Sequence, residues 1–111
     1  MNCQTIKQYI VDAFSHQIFH GNPAAVCILE RWLSDEQMTA VAKENNLSET
    51  AFILKDGKDY QLRWFTPGGE IDLCGHATLA AASVLMSDYE PDRTEISFRT
   101  MGGILHVKKE H

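Results

Sequence analysis

The sequence predicts an α+β fold in which a curved, mostly antiparallel sheet surrounds one apolar helix while a second helix packs outside. Three observations predict this fold. Short segments rich in β-branched and aromatic residues alternate with turn sequences along most of the chain. The segment 77–86 is apolar on nearly all sides, which is typical of a helix enclosed by protein. The segment after Ser34 has a helix start signal followed by apolar residues at helical spacing.

Composition indicates one soluble globular domain covering residues 1–111. The chain has 111 residues, 44% of them hydrophobic, and a formal net charge of −5. A chain of this length can bury a core of its own. The acidic balance disfavours nucleic acid and anionic membranes as partners, because both attract basic patches. No signal peptide pattern is visible and the three cysteines show no paired spacing, so the sequence predicts a cytoplasmic location.

Six segments have the residue types of β-strands, bounded by turn-forming residues. They are residues 7–14, 24–30, 50–55, 59–66, 94–99 and 103–107. Turn signals at 56–58 and near 101–102 predict two hairpins, and hairpins make the sheet mostly antiparallel. The segment 24–30 is almost wholly apolar, which predicts a strand buried on both faces.

The outer helix is predicted from its first residues. Ser34 is a good N-cap and Gln37 follows three positions later, which forms a capping box. Leu33, just before the cap, can pack on Met38 as a hydrophobic staple. The helix should end near Asn45–Asn46, since asparagine tolerates the left-handed conformation common after a helix.

The start of the apolar helix, Cys74-Gly75-His76, is the first candidate site. The first turn of a helix presents unpaired N–H groups and the positive end of the helix dipole, which together favour an anion. Gly75 permits close approach and His76 adds a donor or a proton carrier. The functional interpretation is a carboxylate held on the amides of Gly75, His76 and Ala77. The alternative, a plain helix start with Cys74 as a small buried hydrophobe, stays open from the residues alone.

Glu49 and Asn22 are two further candidates. Glu49 lies where the outer helix has ended and an apolar strand begins, and a carboxylate that loses water there becomes a better proton acceptor. A solvated loop glutamate is the alternative. Asn22, in a Gly-Asn-Pro corner, offers a donor and an acceptor on a rigid turn, but turn chemistry alone also explains it.

Metal and nucleotide cofactors are not predicted. The set His16, His20 and Cys27 matches no standard zinc spacing. Neither a phosphate-binding Walker loop nor a dinucleotide fingerprint occurs in the sequence. These patterns therefore predict no metal site and no nucleotide cofactor.

Four blocks together resemble the phenazine-biosynthesis PhzF-like family. "VDAFSHQIFHGNPAAV", "NLSETAF", "RWFTPGGEIDLCGHATLAAA" and "MGGILHV" occur in the order seen in that family. The resemblance implies a fold similar to diaminopimelate epimerase: two similar lobes, each a curved sheet around a central helix, with the active site between them. The chain resembles the N-terminal lobe, and the second lobe is absent from it.

The resemblance also implies roles for particular residues. Glu49 falls on the family's catalytic glutamate, Gly75 and His76 fall on the pair that holds a substrate carboxylate, and Asn22 falls on the corner that lines the cleft. The best-characterised member isomerises a dihydro-hydroxyanthranilate by moving a proton between carbons without a cofactor. The implied function is a cofactor-free isomerase of a small carboxylate, with Glu49 as the proton carrier.

Two alternatives remain beside this reading. Cys74 occupies the place where related racemases and epimerases carry a catalytic thiol, and such an enzyme would need an opposing thiol from elsewhere. The lobe could instead be a catalytically silent ligand-binding or interaction module. In either case the sequence predicts a homodimer or pairing with the missing lobe, through an open apolar face that includes Phe52, Trp64, Phe65 and Leu73.

Overall fold

The computed structural model describes residues 6–12, 23–46, 49–72 and 75–108. The strands are β1 (Lys7–Asp12), β2 (Pro23–Leu29), β3 (Glu49–Asp56), β4 (Asp59–Thr66), β5 (Gly69–Ile71), β6 (Glu95–Thr100) and β7 (Gly103–Lys108). The helices are α1 (Asp35–Asn45) and α2 (Gly75–Val84), and a π-helical turn (Leu85–Tyr89) follows α2 directly. Within these ranges, neither helix has the length and apolar character needed to cross a membrane.

The strands form one sheet in the order β1-β2-β3-β4-β6-β7, and β5 pairs with the second half of β4. Four of the six pairings in the described sheet are antiparallel, while β2–β3 and β4–β6 are parallel. The predicted α+β fold with a mostly antiparallel sheet is therefore confirmed. A parallel pair needs a crossover connection, and α1 and α2 supply the two crossovers.

Strand β5 is the element that sequence reasoning missed. The predicted strand 59–66 ends at Thr66 as expected, but the following sequence "PGGE" turns the chain in a tight hairpin from β4 into β5. The Thr66 hydroxyl accepts a hydrogen bond from the Gly68 amide at 3.1 Å and donates to the Gly69 carbonyl at 3.2 Å. Thr100 makes the same two bonds to Gly102 and Gly103 in the β6–β7 hairpin.

Gly69 and Gly103 take equivalent places in these two turns. Both have a φ of 124°, a backbone conformation that residues with a Cβ rarely adopt. The sequence Thr-x-Gly-Gly therefore forms the same turn twice, and each turn fixes the register of its hairpin.

The two faces of the sheet bury separate apolar clusters, because successive side chains of a strand point to opposite faces. The inner face packs on α2 through buried residues that include Ala24, Val26, Ala51, Ile53, Leu62 and Trp64. The outer face packs on α1 through Cys27, Leu29, Phe52 and Phe65. The prediction of a strand at 24–30 buried on both faces is confirmed, and the molecule has three layers: α1, sheet and α2.

Helix α2 is enclosed on most of its sides, as the sequence predicts. Ala77, Ala80, Ala81 and Ala82 are all 1% exposed or less. Their small side chains let the helix lie close to the sheet. Leu79, which is 47% exposed, marks an open side of the helix.

Helix α1 begins and ends as predicted. The Ser34 hydroxyl accepts a hydrogen bond from the Gln37 amide at 3.1 Å, and the Gln37 side chain accepts one from the Ser34 amide at 2.9 Å. Met38 is fully buried in the outer cluster, and Leu33 packs against the same cluster. Asn46 ends the helix with a φ of 52°.

The predicted open apolar face is wrong for three of its residues. Phe52, Trp64 and Phe65 are each 2% exposed or less. The reason is that helices cover both faces of the sheet: Phe52 and Phe65 meet edge to face under α1, with ring centroids 5.4 Å apart, and Trp64 lies under α2. Leu73 lies outside the described residues.

A charged cluster ties the segment after α2 to the β3–β4 hairpin. The Tyr60 hydroxyl donates a hydrogen bond to the Glu90 carboxylate. Lys55 and Arg93 form ion pairs with the same carboxylate oxygen, at 3.1 and 3.5 Å. The hydrogen bond from Tyr60, and next the contact with Lys55, lower the pKa of Glu90.

This lowered pKa predicts a loss of stability in acid. An unfolded glutamate titrates near its usual pKa of about 4.3, so the Glu90 contribution is complete above that pH. It is lost as pH falls through the lower folded value, because protonation removes the charge that Lys55 and Arg93 bind. Urea unfolding at several pH values should show that Glu90→Gln is less stable than wild type at pH 7, with a smaller difference at pH 3. Asp92→Asn, at an exposed neighbouring carboxylate, is the control, and an equal effect of the two substitutions would contradict the prediction.

Candidate functional site

One end of the sheet gathers several of the candidate positions; we call it the site end. Parallel pairing sets Ala24, next to the first residue of β2, beside Glu49, the first residue of β3. Antiparallel pairing sets the end of β4 beside the start of β3, with Thr50 opposite Phe65. The site end therefore contains the beginnings of β2 and β3 and the end of β4.

Glu49 lies on the inner side of this end. Ala51 and Ile53 belong to the inner cluster, and strand alternation places Glu49 on the same face. Its Oε2 atom is buried, although the residue as a whole is half-buried. The structure confirms the predicted position of Glu49 at the start of an apolar strand.

The first turns of α2 pack over the same end. The Trp64 indole N–H donates a hydrogen bond of 2.9 Å to the Thr78 hydroxyl, and both side chains are buried. Trp64 pairs across the sheet with Ala51, which is two residues from Glu49. Ala77 is fully buried in the inner cluster, to which Ala51 also belongs. The beginning of α2 and Glu49 thus lie on one side of the sheet and near one end of it.

The other predicted site residues are not all described. Asn22 and Cys74 lie outside the described residues. The backbone of Gly75 and His76 forms the first turn of α2, but the side chain of His76 is also outside the description. Contact between the His76 and Glu49 side chains therefore stays a prediction.

An ion cluster on the outer face holds β5, the strand that leads toward α2. Arg63 donates two hydrogen bonds to Glu70 of β5, at 2.6 and 2.8 Å, and one to Asp35 of α1 at 3.0 Å. The bonds to Glu70 are the main cause that raises the pKa of Arg63. Sequence reasoning missed this cluster because its members are far apart in the chain.

Thr78 was also missed, although the sequence carried a signal. Thr78 lies among buried alanines of α2, and a buried hydroxyl needs a hydrogen-bond partner. The indole of Trp64 also needs a hydrogen-bond partner when it is buried.

The described ranges contain no group of three or more His, Cys, Asp or Glu side chains placed to bind a metal ion.

Comparison with known proteins identifies the protein family. The profile of the phenazine biosynthesis-like protein family matches residues 11–111. A Pseudomonas aeruginosa protein named an uncharacterized isomerase is 55% identical over 100 residues, covering 90% of this chain and 39% of the relative. The crystal structure of an Enterococcus faecalis protein of the PhzF family superposes with a TM-score of 0.88 at 55% identity, over 94% of this chain and 40% of that one.

The chain belongs to the phenazine biosynthesis-like (PhzF) family. A predicted epimerase of known structure from Pseudomonas aeruginosa also shares the fold, with a TM-score of 0.73 at 26% identity over 86% of this chain and 34% of that one. The chain spans about 40% of the length of the relatives it matches. The resemblance seen in the four sequence blocks is therefore confirmed.

The Trp64–Thr78 hydrogen bond predicts a measurable cost when it is removed. Thr78→Val keeps the shape of the side chain but leaves the buried indole N–H without this acceptor. The free energy of unfolding should fall by about 1–3 kcal/mol, measured by urea denaturation. Thr39→Val, on α1, is the matched control because it makes the same chemical change away from Trp64. Equal stability of the two variants would show that this bond does not hold α2 on the sheet.

Proposed function

We propose that this chain is one lobe of a cofactor-independent isomerase that moves a proton on a small carboxylate substrate. The observation that carries the proposal is the placement of Glu49 and the first turn of α2 on one side of the sheet, at the site end. Membership of the PhzF family supports it, as does the isomerase name of the Pseudomonas aeruginosa relative.

In the proposed mechanism the substrate carboxylate binds the amides of Gly75, His76 and Ala77. The first turn, Gly-His-Ala-Thr, itself contains no acidic residue that would repel an anion. The Glu49 carboxylate takes a proton from a substrate C–H, and the helix dipole stabilises the negative charge that develops. The same group, now protonated, returns the proton to another carbon. The net change is a shifted proton and double bond, which needs no oxidant and no metal.

We further propose that the site is completed across the cleft. The first of the matched relatives is about 2.3 times as long as this chain, since the matched part is 90% of this chain and 39% of the relative. The second wall would come from a second lobe or from a second copy related by a twofold axis. Asn22, in its Gly-Asn-Pro corner, would line the same cleft.

Glu49→Gln should abolish most of the activity. Glutamine keeps the shape of the side chain and cannot carry the proton, and a positioned acid/base group typically contributes about 10²–10⁴-fold. The assay follows deuterium from solvent into a dihydro-hydroxyanthranilate or a simpler cyclohexadiene carboxylate. It is run on the chain alone and with the C-terminal lobe of a relative added.

Two control variants make this assay decisive. Glu44→Gln makes the same change at an exposed position of α1 and should leave the exchange rate unaltered. Cys74→Ala should also remain active under the glutamate mechanism. If Cys74→Ala is inactive while Glu49→Gln exchanges deuterium normally, the thiol mechanism replaces this one. Absence of exchange in every combination would favour a catalytically silent binding lobe.

The carboxylate-binding part of the proposal has its own test. Titration with benzoate should shift the backbone amide resonances of Gly75, His76 and Ala77, because their N–H groups point out of the helix start. Added salt should weaken the binding through screening. Resonances that stay in place at these three positions, at benzoate concentrations that shift others, would count against the clamp.

A further inference from the structure

We infer that Thr50 and Asn45 are positioning residues that set the direction of the Glu49 side chain; this inference rests on the proposed role of Glu49. Thr50 follows Glu49 in β3 and is 1% exposed. Its hydroxyl accepts a hydrogen bond of 3.2 Å from the side-chain amide of Asn45, the last residue of α1. The bond joins two positions that enclose Glu49 in the chain.

Asn45 is itself fixed by Gln8 of β1. The two side-chain amides exchange hydrogen bonds of 3.0 and 3.1 Å, each donating to the oxygen of the other. The Asn45 amide group thus donates to both Gln8 and Thr50 while its oxygen accepts from Gln8. This arrangement leaves the amide one orientation that satisfies all three bonds.

The network ends at a buried thiol. Cys27 of β2 donates to the Gln8 oxygen at 3.1 Å. Burial raises the pKa of Cys27 to about 12, so the thiol keeps the proton that it donates. One set of side chains therefore connects β1, β2, β3 and α1 on the outer face, and its Thr50 end lies at the site end.

The connection acts on Glu49 through the strand. Glu49 and Thr50 point to opposite faces of β3, so fixing the rotation of Thr50 about the strand axis also fixes the direction in which Glu49 leaves the sheet. A purely apolar residue at position 50 would fill the same space on the outer face. It would not hold the end of α1 to the start of β3. The hydroxyl of Thr50 is therefore the group that the positioning requires.

The test compares Thr50→Val with Thr50→Ser, which retains the hydroxyl. Three-bond couplings that report the χ1 angle of Glu49 should show one rotamer in wild type and Thr50→Ser, and averaging in Thr50→Val. In the deuterium assay, Thr50→Val should lower kcat by about 10- to 100-fold with KM little changed, since misplacing a reacting group costs rate. Thr50→Ser should recover most of that loss.

Ser34→Ala is the matched control for stability. It removes the cap at the opposite end of α1 and lowers stability without contacting β3, so it should change neither the Glu49 couplings nor kcat. Asn45→Ala removes the other partner of the Thr50 hydrogen bond and should produce the same averaging of Glu49 rotamers. It replaces Thr50→Val in the test if that variant does not fold. A single Glu49 rotamer in both Thr50→Val and Asn45→Ala would overturn the inference. Full turnover in Glu49→Gln would instead overturn the proposed function. The χ1 couplings of Glu49 test the positioning even if the chain shows no catalytic activity.

Discussion

The parallel pairing of β2 with β3 is the constraint on which the rest of the site depends. Parallel neighbours begin at the same end of a sheet, so the start of β2 and Glu49 come to lie side by side. Antiparallel pairing would have placed Glu49 beside the opposite end of β2. Helix α1 makes the parallel pairing possible, because it carries the chain back across the sheet between the two strands. The capping box at Ser34 and the left-handed Asn46 define the length of that return.

The two faces of the central strands are packed by different types of residue. On the inner face, the buried cluster combines alanines of α2 with Ala24 and Ala51 of the sheet, and Trp64 adds a large side chain to it. On the outer face, Phe52, Phe65 and Met38 provide the volume under α1. Each face also has a polar attachment near the site end: Trp64 to Thr78 inside, and Asn45 to Thr50 outside. Both attachments are buried or half-buried hydrogen bonds, which are costly to leave unmade.

Local signals in the sequence were enough for most elements. The capping box of α1, the strand at 59–66 and the hairpin turns at 56–58 and near 101–102 all depend on neighbouring residues, and all were predicted. Apart from the local β4–β5 hairpin, the failures concern contacts between distant segments. Phe52 and Phe65 appeared exposed because the strand pattern does not reveal that α1 covers that face. Glu49 was singled out by its place between a helix and an apolar strand, whereas Asn45 and Thr50 matter only once β1 and α1 are brought together.

The two Thr-x-Gly-Gly turns have a consequence for how the lobe tolerates sequence change. Both turns are tightly constrained: the threonine hydroxyl bonds across the turn, and Gly69 and Gly103 adopt a backbone conformation that other residues rarely adopt. A Cβ at Gly69 would meet no neighbouring atom, so the obstacle to substitution there is the backbone and not the space around it. The chain passes from this turn through β5 to Gly75. A change of backbone conformation at Gly69 would therefore shift the start of α2. We therefore expect insertions and deletions among relatives to occur in other loops of the lobe. In these two turns, relatives should differ only by substitutions that keep the backbone unchanged.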